Sequence, residues 1–280
     1  MKTFHEAPNS IFERVQKITD GDYCLVHLYE ENEQYRENFN NAVRQGREVI
    51  LDNSIFELGT AFDAAKYFEK IKELNPTWYI IPDALEDCNQ TLQNFWKWEE
   101  TYGRELERIY EKNGFQRPKS IGVVQGKTWD EMVQCYNEML YHTDMIAFSF
   151  DLSHYEEMAD ETGREFKNKQ EKWMVGRQQF LRRMITDNVI NTNGKHHLLG
   201  CGLPQEYLAY SDISTIESQV IYSVDTSNPV VFGLNKTKYN NDGMDHKIST
   251  KLFTLINEEV DDEQWQCIEY NINKFKDFCN

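Results

Sequence analysis

Short runs of apolar and β-branched residues recur along the chain, each followed by a polar stretch with helical periodicity. The runs fall at 24–29, 49–53, 78–83, 121–125, 145–151, 197–202, 221–225 and 230–234. Runs that are apolar on both faces suit parallel strands covered by helices. Between them, 61–74, 91–112 and 129–141 read as amphipathic helices; in the first, Phe62, Ala65, Phe68 and Ile71 stand at helical spacing. Eight strands alternating with helices predict an α/β fold, a (β/α)8 barrel of the TIM type. Only residues 226–229 separate the last two runs, too few for a right-handed helical crossover. The barrel is therefore expected to be irregular at its end, or the final run to be a hairpin partner, with a doubly wound open sheet as the structural alternative. No linker or low-complexity segment divides the chain. The expected organisation is one domain over 1–280, with a core at about 22–256 and a C-terminal helix at about 261–278.

Composition narrows this picture. Hydrophobic residues at 40% and aromatics at 13% supply a packed core and exclude a disordered chain. The first twenty residues are charged throughout with no apolar core, so no secretory signal is expected, and no apolar run reaches bilayer-spanning length. A soluble cytoplasmic protein that does not engage membranes is the expectation. The six cysteines, Cys24, Cys88, Cys135, Cys201, Cys267 and Cys279, form no C-x-x-C or C-x-C pair, which points to small core hydrophobes rather than a zinc site or disulfide framework. A formal net charge of −17 opposes phosphate backbones. One stretch, 164–183, runs the other way with Arg164, Lys167, Lys169, Lys172, Arg177, Arg182 and Arg183, and reads as either a solvated helix face or a binding surface.

Four strand ends carry a carboxylate: Asp52 in VILDNS, Asp83 in YIIPDA, Asp151 in AFSFD and Asp225 in YSVDTS. An aspartate leaving a strand can simply cap a turn or the next helix. Four at the carboxyl ends of barrel strands, where such barrels place their active sites, point instead to shared acid, base and nucleophile work or to a metal. The metal reading lacks support in the histidines, since His196 and His197 are adjacent, His154 stands alone, and no H-x-H or H-E-x-x-H occurs. No metal and no cofactor are expected. Gln125 closes the fourth predicted strand with an amide able to read a base edge. Gly200 and Gly202 allow close approach of a ligand, Pro204 opens a helix, and Phe56 offers either an aromatic platform or ordinary packing.

In order and spacing these elements resemble those of the guanine transglycosylases, which exchange guanine for a 7-deazaguanine base in a polynucleotide. GVVQG resembles their GIVQG element, LLGCGLPQE their LMGVGxPED element, and VDTSNP the segment carrying their aspartate nucleophile; DNSIFE stands where they have D-S-G-G-F/Y-Q. The resemblance spans roughly residues 49–229. It implies that Asp225 is the nucleophile and Asp52 the general acid/base. It further implies that Phe56 and Leu199 sandwich the purine, that Gln125 contacts its O6 edge, and that Asp83 accepts from N1 and the exocyclic amine. The family motif at Asp83 can alternatively be matched to Asp87 and Cys88. Gly126, Gly200 and Ser149 are implied to line the same base site.

Three departures refine what is implied. The zinc module of the tRNA-modifying members is absent, the glycine turn after the fifth strand is replaced by Phe148, Ser149 and Phe150, and P-T-R after the nucleophile is replaced by Thr226, Ser227, Asn228 and Pro229. The chain is thus more similar to the compact viral and bacterial relatives that place 7-deazaguanines such as preQ0 in DNA. The implied partners are DNA, alternatively tRNA, and a free 7-deazaguanine base. An oligomer is compatible with this, and the implied location is cytoplasmic, that of the host for a viral member. The rival readings are a barrel glycoside hydrolase acting on a free sugar and a non-catalytic transglycosylase subunit.

Overall fold

Eight parallel strands close into a barrel in chain order among the residues described by the computed structural model, which are 1–113, 116–210 and 220–280. The strands are β1 (Lys2–His5), β2 (Gly21–Leu25), β3 (Glu48–Asp52), β4 (Trp78–Ile80), β5 (Lys119–Val124), β6 (Met145–Phe148), β7 (His196–Leu198) and β8 (Ile221–Asp225). Two units divide the chain, one of Gly21–Ala147 and one combining Met1–Asp20 with Phe148–Asn280.

In the unit Gly21–Ala147, β2 to β5 pair in unbroken parallel register from Leu25 opposite Asp52 to Ile80 opposite Ile121. Alternation along the strands separates two faces. Leu51 and Tyr79 face the helices: the Tyr67 hydroxyl, from the helix Ala64–Leu74, donates to the Leu51 and Ile80 carbonyls at 2.8 and 3.0 Å, and Tyr79 packs on Trp98. Tyr23, Ile50 and Asp52 share the other face. The helix at 61–74 is shorter than its periodicity predicts, because Asp63 caps it by accepting from the Lys66 N–H. Its buried stripe is Tyr67, Phe68, Ile71 and Leu74, and Ala65 is exposed. The run at 24–29 is also corrected: its strand stops at Leu25, and Val26–Glu31 is helical.

The other unit holds the larger correction. The β-branched run at 230–234 is not a strand but the helix Asn228–Leu234. Pro229 sits in its first turn, where a missing N–H costs nothing, and Val230 and Val231 pack against Trp265, Ile268 and Ile272 of the helix Asp262–Cys279. Tertiary burial of one helical stripe overrides the β propensity of the run. The eighth strand is instead β1, whose residues Lys2, Thr3 and Phe4 pair with Ser223, Val224 and Asp225. That pairing closes the barrel without the irregular last crossover. On the helical side, Lys169–Thr186 packs on Ser153–Asp160 so closely that a Cβ at Gly176 would lie 1.9 Å from the Tyr155 carbonyl oxygen. All six cysteines are buried, as small core hydrophobes are.

Candidate active site

Asp225 ends β8, and the strand's own alternation puts Ser223 and Asp225 on one face. On β1, His5 packs its ring on Phe275 of the helix Asp262–Cys279, so its neighbour Phe4, paired with Asp225, faces away from the helices into the barrel. The pairing of β7 with β8 skips one residue between His196 and His197, which brings His197 opposite Ser223 and Leu198 opposite Val224. His197 is fully buried and spans the two polar groups of that face: Nδ1 lies 2.8 Å from Ser223 Oγ and Nε2 lies 3.0 Å from Asp225 Oδ1. A neutral ring satisfies both contacts when Nε2–H donates to the carboxylate and Nδ1 accepts from the serine hydroxyl.

A second donor reaches the same oxygen. The Gly200 N–H donates to Asp225 Oδ1 at 3.1 Å. No hydrogen bond from the described residues reaches Oδ2, so one oxygen of Asp225 is held from two sides and the other is uncommitted. The backbone after it is also fixed: His5 Nδ1 donates to the Thr226 carbonyl at 2.6 Å, and the Thr226 N–H donates to the Phe4 carbonyl. Burial lowers the His5 pKa to about 4, which keeps this ring neutral near neutral pH.

Gly200 occupies a left-handed conformation, φ +67°, and a Cβ there would fall 2.5 Å from the Phe150 ring. The bulk that replaces a glycine turn at 148–150 is thus accommodated by the absence of a side chain at 200. Arg177 locks the same loop. Its guanidinium is fully buried, pairs with Glu206 at 2.6 Å, and donates to the carbonyls of Phe148, Leu199 and Gly200 at 3.1, 3.0 and 3.0 Å. Leu199 and Ser149 flank these carbonyls and are partly exposed.

The unit Gly21–Ala147 carries a separate polar cluster. Both oxygens of Asp52 accept hydrogen bonds, Oδ2 from the Tyr23 hydroxyl at 2.8 Å and Oδ1 from the Ser54 N–H at 2.6 Å. Ser54 itself is in the left-handed region at φ 59°, a strained conformation for a residue with a Cβ. Asn53 donates to Asp83 Oδ1 at 2.9 Å and Gln125 donates to Asp83 Oδ2 at 2.8 Å, while the Glu86 N–H donates to Gln125 Oε1. Asp83 and Gln125 are therefore brought together, as a buried network that includes Asn53. Burial raises the Asp83 carboxyl pKa against the lowering effect of those two side-chain donors. Asp87, the alternative to Asp83, caps the helix Cys88–Trp98 through the Gln90 N–H and is exposed. Gly126 packs against the first turn of the helix Trp129–Met139, where a Cβ would meet Glu131 and Met132 at 2.9 and 3.1 Å. Phe56, in the short helix Ile55–Leu58 after β3, is 47% exposed.

The basic run at 164–183 is largely a salt-bridged helix face. Lys167 pairs with Asp245, Lys169 with Glu156, Lys172 with Asp160 and Arg183 with Asp187, each within 3.3 Å, and buried Arg177 is withdrawn from the surface. The sequence offers the histidines only as weak candidates for a metal, so the role of His197 beside Asp225 emerges from strand pairing. The serine and aspartate two residues apart on β8 were its available signal. Tyr23 and His5 offered no signal, because their contacts depend on strand pairing. Among the described residues, no group of three His, Cys, Asp or Glu side chains is arranged to hold a metal ion, and no helix is long and apolar enough to cross a membrane. No protein-family model matches the sequence, and no curated protein matches it.

Proposed function

We propose that the protein is a base-exchange transglycosylase that replaces guanine in DNA with a 7-deazaguanine base through a covalent aspartyl intermediate. The observation that carries this reading is the Asp225 carboxylate, with Oδ1 fixed by His197 and Gly200 and Oδ2 uncommitted among the described residues. Two donors on one oxygen fix the carboxylate and aim the other oxygen, which is what a carboxylate nucleophile requires. In this reading Oδ2 attacks C1′ as the C1′–N9 bond breaks through an oxocarbenium-like transition state, and the departing guanine takes a proton from Asp52. The incoming base then attacks C1′ through N9, releases Asp225, and returns a proton to Asp52. Two displacements preserve the configuration at C1′. The target guanine must leave the stack or be presented single-stranded.

The hydrogen-bond pattern of the carboxylates supports this division of labour. Asp52 is held by donors on both oxygens, which leaves it without the uncommitted oxygen that attack on carbon requires. Asp83 and Gln125, with Asn53, offer a buried polar edge of the kind that reads a purine, and the exposed Phe56 ring offers a stacking surface.

Mass spectrometry of nucleosides from DNA and tRNA, each incubated with the protein and 7-deazaguanine bases, tests the proposal. The expected result is a 7-deazaguanine nucleoside in DNA with an equal amount of guanine released. Guanine release without incorporation would replace the proposal with a hydrolase, and incorporation confined to tRNA would overturn the choice of DNA.

Tyr23→Phe gives a narrower check on Asp52. It removes the donor to Oδ2 without emptying the site, so the ionised form of the acid Asp52 loses support and the basic limb of the rate profile should move to higher pH. We expect turnover near neutral pH to change by about tenfold. An unaltered pH profile would reduce Tyr23 to a packing residue.

A further inference from the structure

Among the described residues, no carboxylate lies within 4 Å of the Lys247 ammonium. The Lys247 side chain is partly buried, and its ammonium lies over the Phe150 ring, 4.0 Å from the centroid. No hydrogen bond or ion pair joins it to the described residues. Lys167, Lys169, Lys172, Lys236 and Lys276 of the same unit each have a carboxylate within 4 Å, while Lys238 and Lys274 lie, like Lys247, over a ring, at 5.2 Å. Burial lowers the Lys247 pKa, opposed by the more distant carboxylates of Asp151, Asp225 and Glu6. A desolvated ammonium with only a ring for company is costly unless something anionic completes it.

Its position suggests what that anion is. The ring beneath Lys247 is the one that fits against Gly200, and the Gly200 N–H holds Asp225. The carboxylates of Asp151 and Asp225 in the same neighbourhood would repel an approaching phosphodiester, so a nucleotide presenting C1′ to Asp225 needs a local positive charge to offset them. On the reading of the site as a DNA transglycosylase, we propose that Lys247 binds a phosphate of the target nucleotide and thereby positions its C1′ against Asp225. Lys247 is in this sense a positioning residue, and Phe150 is the wall that holds its stem in place.

Lys247→Met, which keeps the stem and deletes the charge, and Lys247→Arg provide the test. With wild type active, we expect Lys247→Met to raise KM for DNA about tenfold or more with kcat nearly unchanged. The salt dependence of DNA binding should fall by about one phosphate contact. Thermal stability should be unchanged or higher, and Lys247→Arg should recover most of the affinity. Calorimetric titration with deoxyguanosine 5′-monophosphate and with inorganic phosphate supplies a readout that does not require turnover. Wild type should bind the nucleotide about tenfold more tightly than Lys247→Met, with phosphate competing. Equal KM and salt slope in the two proteins, equal nucleotide affinity, or no nucleotide binding by wild type would each overturn the role of Lys247. Absence of exchange and adduct in a wild-type protein that still shows Lys247-dependent nucleotide binding would instead overturn the transglycosylase reading and leave the phosphate site standing.

Discussion

Asp225→Asn is expected to abolish both base exchange and a denaturation-resistant protein–DNA adduct while leaving the fold intact. The substitution is nearly isosteric. The amide Oδ1 can still accept from His197 Nε2–H and from the Gly200 N–H, so the hydrogen bonds that position the residue survive. What disappears is the uncommitted oxygen, replaced by an NH2 group that cannot form the bond to C1′. Loss of the covalent route should lower the rate on the order of 10^4-fold or more. Asp225→Ala should be equally inactive but less stable. It strands two buried donors, and each unsatisfied group costs about 1–3 kcal/mol. The assay is a denaturing gel of enzyme mixed with DNA without an incoming base, followed by mapping of the modified peptide. An adduct on another residue, or full exchange by Asp225→Ala, would defeat the mechanism.

The largest effect on stability is expected at Arg177. Its removal leaves the Glu206 carboxylate, itself buried, without a counter-ion, and strips a donor from the carbonyls of Phe148, Leu199 and Gly200. Breaking a buried pair in this way costs about 3–5 kcal/mol, enough to unfold many domains of this size at moderate temperature. Arg177→Lys should not rescue it, because one ammonium cannot serve a carboxylate and three carbonyls from the same stem. Arg177→Met combined with Glu206→Leu should recover a large part of the loss, since no charge is then stranded. Urea denaturation of the three variants decides the matter; wild-type stability in Arg177→Ala would mean that Glu206 finds another partner. Activity should suffer beyond stability, because the loop that Arg177 locks also supplies the Gly200 N–H to Asp225.

The barrel and its strand ends were legible in the sequence because burial on both faces leaves a simple mark. The run at 221–225 became β8 with the same boundaries, and the runs beginning at 49, 78, 121 and 145 each became a strand. The failures share a cause. β1 has only four residues, Lys-Thr-Phe-His, and its strand character comes from pairing with β8 rather than from its own composition. The run at 230–234 has strong β character, yet its surroundings offer a helix to pack against and no strand to pair with. The site shows the same split. The carboxylates were visible as residues at strand ends. The division between Asp225, with one oxygen free of hydrogen bonds from the described residues, and Asp52, with both oxygens engaged, depends on Tyr23, Ser54, His197 and Gly200, most of which the fold delivers from other segments. Likewise the basic run looked like an open surface because its acidic partners, Glu156, Asp160 and Asp245, lie outside it in the chain.

The placement of β1 against β8 has a consequence for how the protein is made. His5 meets the Thr226 carbonyl across 221 positions of sequence. At the usual pace of translation, about 5–20 residues per second, the first strand waits roughly ten to forty seconds for its partner. Over that interval its unpaired edge is exposed to the crowd around the ribosome, and chaperone attention should fall there. Residues 21–147 are contiguous and can begin to organise while the remainder is still being synthesised. Asp225 leaves the ribosome on the strand that seals the barrel, so a nascent chain stalled before residue 225 holds neither a closed sheet nor the carboxylate that His197 and Gly200 await.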